Sequence, residues 1–426
     1  MRRRIAIVGS GISGLTVARG LYRDHDITVF EAGSHIGGHT NTIDVPTTGG
    51  KLAVDTGFIV FNYVTYPNFT RLLAELGIEP QLSTMSFSVK CERTGLEYNG
   101  ANRNALFAQR RNIVRPGFWR MIRDILRFNR EAPTLLSDGG GGPTLGEFLS
   151  QRAFSREFID YFIIPMGAAI WSTRPEDMLE FPAKSFIQFF SNHGMLTVGE
   201  RPSWYVVPGG SRQYVERMTR PFRDRIRLDC PVRRVARKHG RVEIATASSV
   251  EHFDAVVLAC HSDQSLALLA DPSIAEKQIL SAFPYQKNEA VLHTDSSILP
   301  RRRAAWAAWN YHIPTHHTSR VAVTYNMNML QGLEAPDTYC VTLNHDKNID
   351  PGRVIERITY HHPMFTAAGI DAQRRRPEIS GVNRSFFCGA YWRYGFHEDG
   401  MVSGLQALQE IEEWLEHEKL YLSRAS

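Results

Sequence analysis

The segment from Arg4 to Glu31 constrains this chain more than any other. Arg4-Ile5-Ala6-Ile7-Val8 is a short apolar run of the kind that forms a strand buried on both faces. It leads into Gly9-Ser10-Gly11-Ile12-Ser13-Gly14, after which Leu15 to Leu21 reads as a helix. A second strand, Ile27 to Phe30, ends in Glu31 and Ala32. Gly9 permits the tight turn, Gly11 leaves the backbone open to a diphosphate, and Gly14 lets helix and strand pack closely. Ser13 sits in the first helical turn, where unpaired N–H groups and the helix dipole attract phosphate. Glu31 falls where a carboxylate accepts hydrogen bonds from ribose hydroxyls, and its charge disfavours a 2′-phosphate. Strand, glycine turn, helix, strand and acid at these offsets predict a dinucleotide site in a Rossmann-type α/β domain.

A chain of 426 residues is too long for that unit alone and predicts two or three structural units. Its 43% hydrophobic and 22% charged residues exclude a disordered or collagen-like protein. No apolar stretch reaches the roughly 18 residues of a transmembrane helix. Met1-Arg2-Arg3-Arg4 is basic, but the apolar run behind it is too short for a signal-peptide core, so a cytoplasmic location is expected. Cys91, Cys230, Cys260, Cys340 and Cys388 are scattered without a C-x-x-C pair and are expected as free thiols. The pairs His316-His317 and His361-His362 lack metal-ligand spacing, so no metal site is expected. The sequence holds no G-x-S-x-G elbow for hydrolase chemistry.

Further signals lie downstream. Gly37-Gly38-His39-Thr40 lets the chain double back over a dinucleotide, and Val54-Asp55-Thr56-Gly57-Phe58-Ile59 follows. Later come Pro208-Gly209-Gly210, Pro231-Val232-Arg233-Arg234-Val235 and Asp254-Ala255-Val256-Val257-Leu258-Ala259-Cys260. Phe386-Phe387-Cys388-Gly389-Ala390 is followed by Gly400-Met401-Val402, which opens a last long helix. Together these resemble the flavin-containing amine oxidoreductase superfamily. The resemblance implies FAD as cofactor, held by a Rossmann-type domain that carries an inserted α+β substrate domain and a helical cap. It implies cofactor contacts from Gly37, Gly38, His39 and Thr40, from Gly57, Phe58 and Ile59, and from Val232 beside the adenine. It also implies contacts from Gly389, Gly400, Met401 and Val402 at the flavin end. Two positions depart from the family pattern. His39 stands where members usually carry an arginine facing the pyrophosphate, and Ala390 stands where they carry an acid.

Four runs are similar to one bacterial branch of that superfamily, the predicted NAD/FAD-binding proteins associated with cyclopropane-fatty-acid-synthase-like methyltransferases. They are Gly57 to Tyr63, Ala169-Ile170-Trp171-Ser172, Ala305 to Tyr311 and Tyr391 to Gly400. This closer resemblance implies a fatty-acyl or phospholipid substrate and a lipid methyltransferase as partner. Two other readings stay open. One is a true amine oxidase, with Lys287 as the lysine such an enzyme places near its flavin. The other is a non-catalytic FAD-binding partner of the methyltransferase.

Tyr391, Trp392, Tyr394, Phe396 and His397 lie between two flavin-contacting segments and are expected near the isoalloxazine. Of these, His397 is the general acid or base candidate, because imidazole titrates near neutrality. Tyr391 and Tyr394 are the other catalytic candidates. Trp171, Trp306 and Trp309, with Trp392 and Phe396, are expected to line a tunnel suited to an alkyl chain.

The FAD-binding domain is expected to be discontinuous, over 1–80, 200–262 and 378–426. Residues 81–199 read as a mainly helical insertion, with Gly139-Gly140-Gly141-Gly142 preceding a capping box at Thr144 and Glu147. Residues 263–377 read as the sheet of a substrate domain. The chain's formal charge is +5, yet residues 103–130 hold eight arginines and one acid, Asp124. On a helix, Arg120, Arg123, Arg127 and Arg130 share an arc of about 80°. That face predicts peripheral contact with an anionic membrane surface. Nucleic acid is not expected, since no recognition motif accompanies the charge.

Overall fold

The computed structural model describes residues 2–137, 142–197, 202–238, 240–315 and 320–425. Gly139, Gly140, Gly141 and the His316-His317 pair lie outside the described residues.

Arg4–Val8 is the middle strand of a five-stranded parallel sheet. The order is Ser385–Phe387, Ala255–Leu258, Arg4–Val8, Asp26–Phe30 and Ile226–Arg227. The first strand lacks polar alternation because both its faces are covered. Ile5 and Ile7 pack on one side with Leu15 and Leu21 of the helix Ile12–Leu21 and Ile411 of the helix His397–Ala425. Ala6 and Val8 pack on the other with Val235, Val242, Ile244 and Phe253. Those last residues belong to a three-stranded antiparallel sheet, Arg234–Lys238, Arg241–Ala245 and Val250–Phe253. The sheet thus gathers strands from the start, the middle and the end of the sequence.

A second sheet has seven strands. Its order is Val354–Pro363, Tyr285–His293, Cys340–Leu343, Ala322–Asn326, Trp309–Ile313, Phe87–Cys91 and Leu96–Asn99. The last two strands come from the stretch read as mainly helical. They pair as a hairpin across Gly95, whose φ is +63°, and Phe87–Cys91 runs parallel to Trp309–Ile313. All four residues of Leu96–Asn99 are buried, so the segment has no polar alternation to mark it as a strand.

Helices between residues 103 and 192 cap this sheet, and the Thr144–Glu147 capping box forms as expected. One cap helix runs from Arg156 to Trp171 through a π turn at Ile159–Ile163. Pro165 explains the turn: it lacks the N–H that would bond the Tyr161 carbonyl, and its ring crowds that carbonyl. The buried Tyr98 hydroxyl donates to the Tyr161 carbonyl instead, at 2.7 Å. Tyr98→Phe should strand that carbonyl and cost about 1–3 kcal/mol in urea unfolding, with bound cofactor unchanged. An unchanged urea midpoint would show that the carbonyl finds another donor.

The arginine-rich helix is Pro116–Glu131. It buries Phe118, Met121 and Phe128. Three of its four aligned arginines have partners within the protein, Arg123 only through a long contact with Asp124 at 3.8 Å. Arg120 pairs with Glu157, and Arg127 lies 4.0 Å over the Phe154 ring and pairs with the buried Asp124. Arg123 and Arg130 remain exposed beside Trp119 and Leu126, which are 48% and 51% exposed. Among the described residues no helix is long and apolar enough to cross a membrane. All five cysteines are free thiols.

Candidate cofactor and substrate cavity

Both sheets and the cap enclose a cavity of about 1110 Å³. Its floor is the glycine turn. Gly9 has φ of +107°, and a Cβ there would press on the Ala259 carbonyl at 2.7 Å. A Cβ at Gly14 would collide with the Gly9 carbonyl, so this glycine serves helix–strand packing and does not line the cavity. Gly11 differs, because a Cβ there meets nothing within 4 Å and points into open cavity. The Gly37-Gly38 loop folds back onto this turn. Gly37 bridges Gly11, and a Cβ at Gly38 would lie 3.2 Å from the Gly11 Cα.

Glu31 is anchored by the same turn. Its Oε2 accepts from the Ser10 N–H at 2.9 Å and the Ser10 hydroxyl at 2.6 Å, and its Oε1 accepts from the Gly33 N–H at 2.8 Å. It lines the cavity together with Ser13, Ala32 and Val232. Gly57, Phe58 and Ile59 form the next stretch of wall. Asp55, just before them, is buried and ties the wall together by accepting from Thr42, Ser211 and Gln331. Burial pushes its carboxyl up to about 6.

His397 stacks on Phe58 at 3.7 Å between ring centres and meets Phe69 edge-on at 4.9 Å. Its Nε2 lies 2.9 Å from the Tyr214 hydroxyl, which is 2.7 Å from Thr40 Oγ1. Burial, with His39 nearby, holds His397 down at about 3, so it does not titrate near neutrality as expected. It is a neutral hydrogen-bonding imidazole. Thr40 acts through Tyr214 and stays off the cavity wall. Tyr391 and Tyr394 line the wall, and burial raises both phenols above their ordinary value.

The far end of the cavity is aromatic. Trp171, Trp309, Phe396, Phe189, Tyr325 and Phe365 line it. Trp306 and Trp392 do not, contrary to expectation. The Trp306 indole N–H donates to the Pro300 carbonyl at 2.7 Å, within its own loop. Trp392 packs into the core against Phe283 and under Arg376. Gly400, Met401 and Val402 also lie off the main wall. Gly400 instead allows contact with Ile12, since a Cβ there would come within 2.8 Å of the Ile12 methyl. Val402 lines an adjoining chamber of about 450 Å³, which shares Tyr66, Phe189, His193, Tyr394 and Phe396 with the cavity.

The structure adds residues that sequence reasoning missed. His261, Tyr285, Tyr360, His362 and the more exposed His361 also line the cavity, and His193 stands at the chamber. Their sequence signal was weak. His361 and His362 are neighbours on one strand and draw notice only as a metal pair. Among the described residues no group of three or more His, Cys, Asp or Glu is placed to hold a metal ion.

The cavity fits FAD on its own chemistry. Buried polar atoms are nearly always paired, yet four on this wall have no protein partner: His39 Nε2, Trp171 Nε1, Trp309 Nε1 and the Tyr391 hydroxyl. The backbone at Gly11 is open to a diphosphate, with Glu31 and Val232 to one side and Gly57–Ile59 and Gly389 to the other.

The sequence model of the family described as "Flavin containing amine oxidoreductase" matches residues 12–297, two thirds of the chain. No curated protein matches the chain. Solved structures match its fold. Cyclohexylamine oxidase from Brevibacterium oxydans IH-35A has a TM-score of 0.68 at 16% identity, over 98% of this chain and 100% of its own. The fatty acid isomerase from P. acnes that produces CLA has a TM-score of 0.67 at 15% identity, over 96% and 98%. Reduced UDP-galactopyranose mutase has a TM-score of 0.68 at 13% identity, over 96% of each chain. With the family match and the open diphosphate turn, the chain belongs to the flavin-containing amine oxidoreductase family and is an FAD-dependent oxidoreductase.

Proposed function

We propose that this enzyme dehydrogenates or oxygenates an unsaturated or methyl-modified fatty-acyl chain of a lipid. Two electrons pass from the chain to FAD and on to oxygen or a quinone-like acceptor, with water or oxygen the source of any inserted oxygen atom. One observation carries the reading: Glu31, at the cofactor end, is the single Asp, Glu, Lys or Arg on the described cavity wall. The aromatic end therefore offers a long apolar chain a favourable burial of about 25 cal/mol per Å². On that aromatic wall a charged ammonium group meets no carboxylate. Glu398 and Asp399 stand with Arg393 in the adjoining chamber, where Glu398 accepts from Asn68 and Phe69 and Asp399 from Phe396.

FAD, when bound, supplies an N5 that accepts a hydride. The protein's own part is to hold the chain between Trp171, Trp309 and Phe396 and to keep water out. His397 fixes the wall beside Phe58 as a neutral imidazole. Lys287 gives no support to a true amine oxidase. It pairs with Glu289 at 2.7 Å, is 54% exposed and lies off the cavity wall.

Anaerobic mixing with methylated or unsaturated phospholipid should bleach the flavin absorbance. Bleaching by a polyamine or aryl amine alone would replace this reading with an amine oxidase. No bleaching by either panel, with a lipid methyltransferase co-purifying, would make the protein that enzyme's non-catalytic partner.

A lipid substrate gives the exposed side of the helix Pro116–Glu131 a use. Trp119 and Leu126 would enter an anionic bilayer, with Arg123 and Arg130 at its phosphates. The double variant Arg123→Glu, Arg130→Glu should lower binding to anionic vesicles at least about tenfold, at roughly 1 kcal/mol per basic residue, and leave bound FAD unchanged. If the unmodified protein ignores such vesicles, the face is simply solvated.

A further inference from the structure

FAD brings a doubly charged diphosphate to the glycine turn, and no lysine or arginine lines the described wall to meet it. The dipole of the helix Ile12–Leu21 supplies only about half a positive charge. Imidazoles stand on both sides of the turn. His39 follows Gly38, which lies against Gly11. His261 follows Cys260, whose N–H lies 3.4 Å from where a Cβ at Gly9 would stand. The two rings are 6.2 Å apart between centres. His362, on the strand Val354–Pro363, is 5.4 Å from His39, and His361 is 6.4 Å from His261. His39 Nε2 is buried without a partner.

We propose that His39, His261, His361 and His362 form the counter-charge to the cofactor's diphosphate, so that FAD binding takes up protons. The family's fixed arginine is thereby replaced with a charge that arrives with the ligand. Burial and mutual repulsion hold His39 and His261 down at about 4 and His362 at about 3. These three are neutral at pH 7 until a negative group enters.

The groups packed around them do not supply the charge. Glu31 and Asp263 are acidic. Tyr285 stacks on His261 at 4.4 Å and Tyr360 on His39 at 5.0 Å, and burial keeps both phenols protonated. Burial also keeps the Cys260 thiol protonated. Asp55 acts on Tyr360 from behind, and the buried His397 is itself held neutral. Lys287, on the strand of Tyr285, is spent on Glu289. Asn288 Nδ2 lies 2.8 Å from His362 Nδ1, which orients that ring and leaves its Nε2 edge for a ligand.

The test is FAD release from diluted holoenzyme, followed by the fluorescence of free flavin from about pH 6 to about pH 9. By linkage, each proton taken up per FAD steepens the Kd by about tenfold per pH unit. The expected slope is one or more, and ADP-ribose, whose diphosphate like that of FAD carries a fixed charge over this range, should reproduce it where adenosine, which has no diphosphate, shows none. His39→Arg supplies a fixed charge, so it should flatten the slope by about one and hold FAD more tightly at high pH. His261→Gln and His362→Gln should each weaken binding most below about pH 7. A Kd independent of pH, a slope for adenosine equal to that for ADP-ribose, or a His39→Arg slope equal to the unmodified one would each overturn the proposal.

Discussion

Replacing Gly11 with aspartate should strip the enzyme of FAD and leave its fold intact. Gly11 is the N-cap of the helix Ile12–Leu21, with φ of −68° and ψ of 174°, a conformation open to any residue. Aspartate is among the preferred N-caps, and its charge suits the positive end of the dipole. A Cβ there meets nothing within 4 Å, so the flavin-free protein loses no packing. The added carboxylate occupies the place of the diphosphate. At about 4 Å and an effective dielectric near 20, like charges repel by roughly 4 kcal/mol, close to a thousandfold in Kd. Purified Gly11→Asp should lack the flavin absorbance and keep the thermal midpoint of flavin-stripped enzyme. Gly14→Ala is the contrasting case, since its Cβ would collide with the Gly9 carbonyl and the chain should misfold. Retention of flavin by Gly11→Asp would place the diphosphate elsewhere.

The contrast between these two glycines shows what was legible in the sequence. The turn, Glu31 and the parallel strand are local, so spacing alone places them. The two strands at 87–99 were not legible, because neither the fully buried Leu96–Asn99 nor the irregularly buried Phe87–Cys91 carries a two-residue period. Tryptophans misled for a related reason. Trp306 and Trp309 lie three residues apart, yet one indole bonds its own loop and the other faces the cavity. The histidine group was invisible because His39, His261 and His362 meet only after two sheets and a long insertion have folded. The environment that holds His397 near 3 is also tertiary, so side-chain identity alone suggested a titration near neutrality that its burial shifts down.

The same burial makes the flavin-free protein acid-labile, and this is the largest stability effect expected. His39, His261 and His293 are held down at about 4, and His362 and His397 at about 3. An unfolded histidine titrates near 6.5. The unfolded chain therefore binds more protons than the native one below that value, and stability falls as pH drops from about 6.5 toward 4. At pH 5 each such histidine costs on the order of 2 kcal/mol. Carboxyls raised by burial oppose this, Asp160 among them. Burial raises Asp55 and Asp399 to about 6, so the native state takes up their protons first and gains stability as pH falls through 6. The depressed imidazoles, to which burial adds His193, His312 and His345, outweigh the raised carboxyls, and the net loss by pH 5 is several kcal/mol. The thermal midpoint of flavin-free protein should fall by about 5 °C or more between pH 7 and pH 5, and a flat or rising midpoint would refute the assignment. His293 separates the causes. It is buried against Thr342 and does not line the cavity. His293→Gln should lessen the acid loss without touching cofactor affinity. Adding FAD should lessen it through His39, His261 and His362, because a bound diphosphate raises the very groups whose protonation otherwise unfolds the chain.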